Sequence, residues 1–339
     1  MKKSLPFLTL LAAFVWVGCS KELSLESGAP PAGNNAVGTL VGAPGACANI
    51  TLAGVYGQAI ASDTSDYLLV DLDFTTAGDF IISTDTVNGM FFADTGSVAN
   101  TGIAQLKLQA FGSPLNPGVF NYTVKFKGSS CTFSLEVFPV VTSTGNDYFP
   151  TSLNSWWNYI SNDPAAAPSD TVRSIATGTT ITLAATGRQY DIFQNVYHTA
   201  VTDTSLYRKA PGEYFAYDDI DQFGLADTVI AGEWIFLKDN VAAGTSWFSP
   251  EVNTTAASVP VKMRLKMDIT QRNVDAAVDN KVYRNVIKVR TTQQVQATAV
   301  APFVDVVSFE SWYARGIGLI QVAAPSPFFG YRLQAFVVN

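Results

Sequence analysis

The feature that most restricts this chain is a two-residue rhythm of apolar side chains, interrupted by turn residues, with no sustained helical period. Between Val259 and Ile269, Val261, Met263, Leu265 and Met267 alternate with Lys262, Arg264 and Lys266. Such a pattern separates apolar from polar side chains only on an extended backbone, where successive residues point to opposite faces. Val282 to Ala297 repeats it, with Ile287 and Val289 set against Lys288 and Arg290. The stretch Asn273 to Lys281 joins the two runs, so they are expected to pair as one long hairpin. Strands this long favour a strongly curved antiparallel sheet, a half-barrel or a barrel.

The same rhythm fills the first half of the chain in shorter units. Runs at Tyr67–Phe74, Phe80–Thr84, Met90–Val98, Ile103–Ala110, Val119–Phe126 and Cys131–Phe138 are separated by Gly, Pro, Asn and Asp turns. In Phe120 to Phe126, the residues Phe120, Tyr122, Val124 and Phe126 share one face. Short, evenly spaced strands with such turns predict an antiparallel sandwich. Charged residues are only 14% and AVILMFWYC 47%, a balance that can build a buried core. The one segment suited to a helix is short, around Asp219 to Ala226. The fold class read here is all-β: a sandwich, then a curved, barrel-like sheet.

The N-terminus gives an address. Lys2 and Lys3 precede an apolar run from Leu5 to Val17, too short to span a bilayer and suited to a signal peptide. It ends Trp16-Val17-Gly18-Cys19, which resembles the lipobox of bacterial lipoproteins, with Trp16 where that pattern usually has Leu. The resemblance implies acylation of Cys19 as the new first residue, and attachment to a membrane through its acyl chains. Cleavage there removes two lysines and takes the formal charge from −7 to −9. A chain so acidic is not drawn to nucleic acid. Residues 20–37 have almost no large apolar side chains and read as a tether, at most about 60 Å when extended. Lys21-Glu22 vaguely resembles the surface-export signals of Bacteroidota-type lipoproteins. Cys47 and Cys131 remain; in an oxidising compartment such a pair forms a disulfide, the alternative being two separate buried thiols.

Two further resemblances concern the domains. Gly45-Ala-Cys-Ala-Asn49, the turn Thr76 to Phe80, Ser83 to Gly89 and Ser129-Ser-Cys-Thr-Phe133 resemble an immunoglobulin-like repeat of secreted Bacteroidota proteins. Its cysteine positions match the expected bridge, and such modules act as spacers or adhesive units. Tyr148-Phe-Pro150, Trp157-x-Tyr159 and Tyr313-Ala-x-Gly-x-Gly-Leu319 resemble C-terminal domains of Bacteroidota lipoproteins with no assigned activity. The organisation is therefore signal peptide and lipobox at 1–19, tether at 20–37, sandwich at 38–140, linker at 141–146 and a second β domain at 147–339. Asp-Thr-Val triplets make Thr86, Thr171 and Thr228 candidate O-glycosylation acceptors, by likeness to a Bacteroidota motif.

Little in the sequence points to catalysis. One His and three Cys cannot assemble a His cluster, a Cys₄ zinc site or a CxxCH haem attachment. His198 is the only imidazole, and no GxSxG elbow occurs. Asp219-x-Asp221-x-x-Gly224 begins like a calcium loop, but Phe223 stands at the third ligand position and Ile230 where the closing Glu belongs. Gly316-Ile-Gly318 lacks the strand-then-helix setting of a phosphate loop. No metal, cofactor or catalytic residue is assigned. Candidate ligand contacts are the aromatics Trp156, Trp157, Trp312 and Tyr313 and the basic face Lys262, Arg264, Lys266, Lys288 and Arg290. Trp156 and Trp157, being adjacent on a strand, must face opposite sides. The expectation is a non-catalytic, lipid-anchored outer-membrane lipoprotein, a surface binding or accessory module for a glycan or lipid. A carrier using a half-barrel cavity is the alternative, and a glycan hydrolase a further one.

Overall fold

A computed structural model describes residues 35–339, apart from 168, 169, 201, 298, 299, 327 and 329. The segment expected to be a signal peptide, Cys19 and most of the expected tether lie outside the described residues. Every regular element among those described is a strand. The first group is β1 Val37–Leu40, β2 Thr51–Ala53, β3 Tyr67–Thr76, β4 Gly78–Thr84, β5 Met90–Val98, β6 Gly102–Gly112, β7 Gly118–Phe126, β8 Ser129–Val137 and β9 Val140–Val141. The second is β10 Trp156–Ser161, β11 Thr171–Leu183, β12 Arg188–Tyr197, β13 Thr202–Ala210, β14 Glu213–Asp219, β15 Ala231–Lys238 and β16 Ser246–Phe248. It continues with β17 Val252–Ala256, β18 Val259–Val278, β19 Lys281–Gln296, β20 Val304–Ala314, β21 Gly318–Ala323 and β22 Gly330–Val337.

The first sheet runs β1-β3-β6-β5-β4-β7-β8, with β2 also on β3. It folds over itself at β5, whose first residues pair with β6 and whose remainder pairs with β4. Alternation then sends Leu68, Val70, Leu72 and Phe74 of β3 inward against Tyr122, Val124 and Phe126 of β7, in one core. Phe74 meets Phe126 edge-on at 5.9 Å, and Phe92 meets both Tyr122 and Phe133 at 5.7 Å. Edge-to-face aromatic pairs of this kind add to plain area burial. Cys47 and Cys131 are bonded, across a separation of 84 residues. The bridge lies beside reciprocal backbone bonds from Cys47 N to Thr132 O (2.9 Å) and Thr132 N to Gly45 O (3.0 Å), so the segment before β2 is fixed to the outer strand β8.

The second sheet has fourteen strands, in the order β15-β14-β13-β12-β11-β10-β22-β21-β20-β19-β18-β16, with β17 on β18 and β9 on β19. It curls until its ends meet: the Trp247 indole N–H of β16 donates to the Ile235 carbonyl of β15 at 2.7 Å. One end of the interior is filled by Trp234, Phe236, Leu265, Met267, Ile287 and Val289.

The long hairpin is tighter than its sequence suggests. The expected connection from Asn273 to Lys281 is absorbed into the strands, which stay paired down to Val278↔Lys281. Only Asp279 and Asn280 form the turn, both at positive φ (49° and 59°). Two left-handed turn residues match the twist of the flanking strands, and Asp and Asn tolerate that region. Register shifts around Gln271 to Ala276 accommodate the extra residues. The helix expected near Asp219 to Ala226 is instead a run of turns, because side chains satisfy its backbone N–H groups: Asp219 Oδ1 accepts from Asp221 N (2.9 Å) and Ile230 N (3.0 Å). The segment 141–146 is strapped down: Ser143 Oγ donates to Gly316 O at 2.9 Å and Arg315 to Asn146 at 2.6 Å.

Because the Cys47–Cys131 bridge restrains the unfolded chain, the Cys47→Ala/Cys131→Ala double variant should lose about 2–4 kcal/mol of stability. Urea unfolding of oxidised wild type against the double variant measures this, and equal midpoints would refute it.

Candidate functional site

On the half of the curled sheet formed by β10 to β14 and β22, the inward positions leave a cleft of about 490 Å³. Strand alternation supplies its walls: Trp157, Tyr159 and Ser161 from β10, Phe193, Asn195 and Tyr197 from β12, and Asp203, Ser205 and Tyr207 from β13. Asp218 of β14 and Tyr331 of β22 complete the opening.

The floor is aromatic and buried. Trp157 stacks on Phe193 at 5.9 Å, Phe193 meets Tyr207 edge-on at 5.1 Å, and Phe149 packs on both at 5.6 and 4.7 Å. Its polar tips have partners. The Trp157 indole donates to Ile317 O at 2.6 Å, and the Tyr159 hydroxyl to Leu319 O at 3.0 Å. These bonds require the chain to pass close beneath the rings at Gly318. At φ +107°, a Cβ there would stand 3.3 Å from the Trp157 indole nitrogen and 3.5 Å from Pro150. Phe149 and Pro150 are held by Asp147, whose Oδ1 accepts from Phe149 N (2.9 Å), whose Oδ2 pairs with Lys209 (2.6 Å) and whose carbonyl accepts from Gly316 N (2.7 Å). The three short motifs Tyr148-Phe-Pro, Trp157-x-Tyr and Tyr313 to Leu319 therefore meet under one cleft.

The mouth is polar and acidic. Asp203 Oδ1 accepts from Asn195 Nδ2 at 2.7 Å and its Oδ2 from the Tyr197 hydroxyl at 2.9 Å. Asn195 Nδ2 also reaches Ser205 Oγ at 2.8 Å. Burial, then the Asp203 bond and charge, push the Tyr197 hydroxyl up to about 12. Asp218 accepts from the Asp219 N–H at 2.8 Å. Its residue keeps contact with water through the opening, but protein packed on its sides raises its carboxyl above the ordinary range, as do Asp219 and Asp203. Asp170 stands at the edge with His198 Nδ1 3.2 Å away. Among the described lining residues there is no Lys or Arg.

Of the residues singled out from sequence, Trp157 lines the cleft. Its neighbour Trp156 points to the other face, under the Arg173 guanidinium at 4.2 Å. Tyr313 is buried in the core against Phe236 at 5.7 Å. Trp312 donates to Glu310 at 2.8 Å and carries the Lys288 ammonium over its ring at 3.9 Å. The basic face is largely neutralised: Lys262 and Arg264 both meet Glu251 at 3.2 Å, Lys266 meets Asp268 at 3.1 Å, and Arg290 stands opposite Asp268 and Glu310 in the ladder. The Arg264 guanidinium lies between the Phe248 and Phe303 rings, at 4.1 and 3.9 Å. None of these basic residues lines the cleft. In the acidic loop, Asp221 accepts from Ala226 N (2.5 Å) and Asp227 from Ser258 N (2.8 Å), so these carboxylates hold turns. Thr171 lies in the cleft wall, while Thr86 and Thr228 are exposed. Sequence reasoning missed Phe149, Tyr159, Phe193, Tyr207, Asp203 and Tyr331 as lining residues. The signal was there: Phe193-x-Asn195-x-Tyr197 and Asp203-x-Ser205-x-Tyr207 are period-two triplets on successive strands.

No protein-family model matches the chain, and no curated protein does. Among solved structures, the 2.70 Å crystal structure of a protein from Parabacteroides distasonis, provisionally designated a lipoprotein, is similar. That match has 12% identity and a TM-score of 0.38, covering 58% of this chain and 100% of the other.

Asp218 has a raised pKa in the folded state, so its penalty is absent below the unfolded value and grows as pH rises through the folded one. Asp218→Asn should therefore stabilise the protein at neutral pH by less than about 1 kcal/mol, allowing for solvent screening at the mouth. Thermal melts from pH 3 to 7 check this; a gain that persists undiminished at low pH would contradict the electrostatic origin.

Proposed function

We propose that this chain is a non-catalytic, lipid-anchored lipoprotein of the bacterial outer membrane whose second domain binds a small ligand in the aromatic cleft. The observation that carries the reading is the cleft itself: about 490 Å³, with stacked rings at its floor and hydrogen-bonding groups at its mouth. Binding sites for small molecules commonly have this size and this mixture of apolar wall and few polar groups. The lipobox ending in Cys19 supports the anchor, and the sandwich, with its resemblance to an immunoglobulin-like repeat, serves as a spacer or adhesive unit. A mouth of carboxylates, amide and hydroxyls suits a polar ligand better than an acyl chain, because burying those groups against a hydrocarbon would leave them unpaired.

Two experiments test the two parts. Cys19→Ser should abolish acyl labelling and release the protein from the membrane fraction; labelling that persists would sink the anchor. Calorimetric titration of the full-length protein in neutral detergent with glucose, glucosamine and choline should give saturable binding of at least one. Ser205→Trp, which fills the cleft, should remove it. Binding unaffected by Ser205→Trp would place the site elsewhere.

A further inference from the structure

The cleft is sorted by depth. Its floor is ring carbon, while Asp203, Asp218, Tyr197 and Tyr331 surround its opening. The carboxylates there are oriented without being neutralised. Both oxygens of Asp203 accept from neutral donors, Asn195 and Tyr197, and Asp218 accepts a backbone N–H. Among the described residues, neither forms an ion pair. The nearby cations face elsewhere or are engaged. Arg173 and Arg208 lie on the outward positions of β11 and β13, over Trp156 and Phe215. Arg332, on the outward position of β22, meets Asp279 at 3.3 Å. The inward Lys209 is tied to Asp147 at 2.6 Å and to the Phe149 carbonyl at 3.3 Å.

Building on the ligand-binding reading above, we propose that the cleft takes an organic cation: an apolar or ring-shaped body on the aromatic floor, and a positively charged nitrogen at the mouth beside Asp203, Asp218 and the Tyr331 ring. Carboxylates give the nitrogen its counter-charge, and the electron-rich faces of aromatic rings attract it further. An anion entering the same mouth would meet two unpaired carboxylates. A neutral ligand of the same shape would gain the floor and lose the charge term. The raised pKa of Asp218 fits this account, since a carboxyl crowded by protein and by Asp203 ionises more readily once a cation sits beside it.

Matched pairs isolate the charge. The full-length protein is titrated with choline against its neutral isostere 3,3-dimethyl-1-butanol, and with glucosamine against glucose. In at least one pair the charged member should bind about tenfold tighter or more. Asp203→Asn and Asp218→Asn should each shrink that preference, weakening the charged member more than its neutral partner, and added salt should weaken mainly the charged member. The first pair reports a quaternary ammonium source and the second an amino sugar. Equal or tighter binding of the neutral members would overturn the cation assignment and leave the cleft as a binding site. No binding by any of the four would overturn both.

Discussion

The β18–β19 ladder carries the second sheet. It stays paired from Lys262↔Gln296 to Val278↔Lys281, and both interior clusters rest on it. Leu265, Met267, Ile287 and Val289 project into one cluster, while Ala276, Val278, Tyr283 and Val286 project into the other. β20 continues the sheet on one side, β16 and β17 on the other, and β9 adds in parallel at Val282 and Tyr283. Through β9 the ladder also meets the sandwich. A Cβ on Gly57 would stand 3.1 Å from both Val140 and Val282, so these two side chains pack closely over the Gly57 backbone. Strands this long twist, and a twisted sheet of many strands curls rather than staying flat.

Curling alone does not make a cleft; the inward side chains decide whether the enclosed space fills. Along β18 and β19 these are Leu, Met, Ile and Val, and the space between them and β15 is packed. Along the outer ends of β12 and β13 they include Asn195, Asp203 and Ser205, which are too short and too polar to meet across the interior. Deeper on the same strands, Phe193 and Tyr207 do meet. The boundary between filled and open interior thus falls within single strands, and the depth sorting of the cleft is a direct product of two-residue alternation on strands that change composition along their length.

Much of this was legible in the sequence and part was not, for reasons that differ by residue. The strands of the sandwich declare themselves because each has one apolar face and turn residues at both ends; Tyr67 to Phe74 and Phe120 to Phe126 need no tertiary context. The long hairpin was legible in its pairing but not in its turn, since Asp279-Asn280 is a short polar pair within a stretch that looks like loop throughout. β11 to β14 were harder. Their outward faces carry Arg173, Arg208 and Gln194, their inward faces carry Asp203 and Asn195, and neither face stands out as apolar. A strand that lines a polar cleft loses the signal by which strands are recognised. The candidate aromatics fared accordingly: Trp157 was reachable because it sits beside Trp156 in an apolar strand, whereas Phe149 reaches the cleft through a turn set by Asp147, which no periodicity reports.

The charges obey the same alternation. On β13, Arg208 falls on the outward face and, with Arg188, clasps Glu233 there; Asp203, an odd number of positions away, must face the cleft. Shifting that strand's register by one residue would place Arg208 inward and Asp203 outward, reversing the sign of the site. The register is fixed by Phe193 and Tyr207, which must stay on the buried face, and by the Arg208 guanidinium against Phe215 on the other. Core packing therefore sets the electrostatics of the mouth. The aromatic pair that builds the floor is also what keeps Asp203 at the opening.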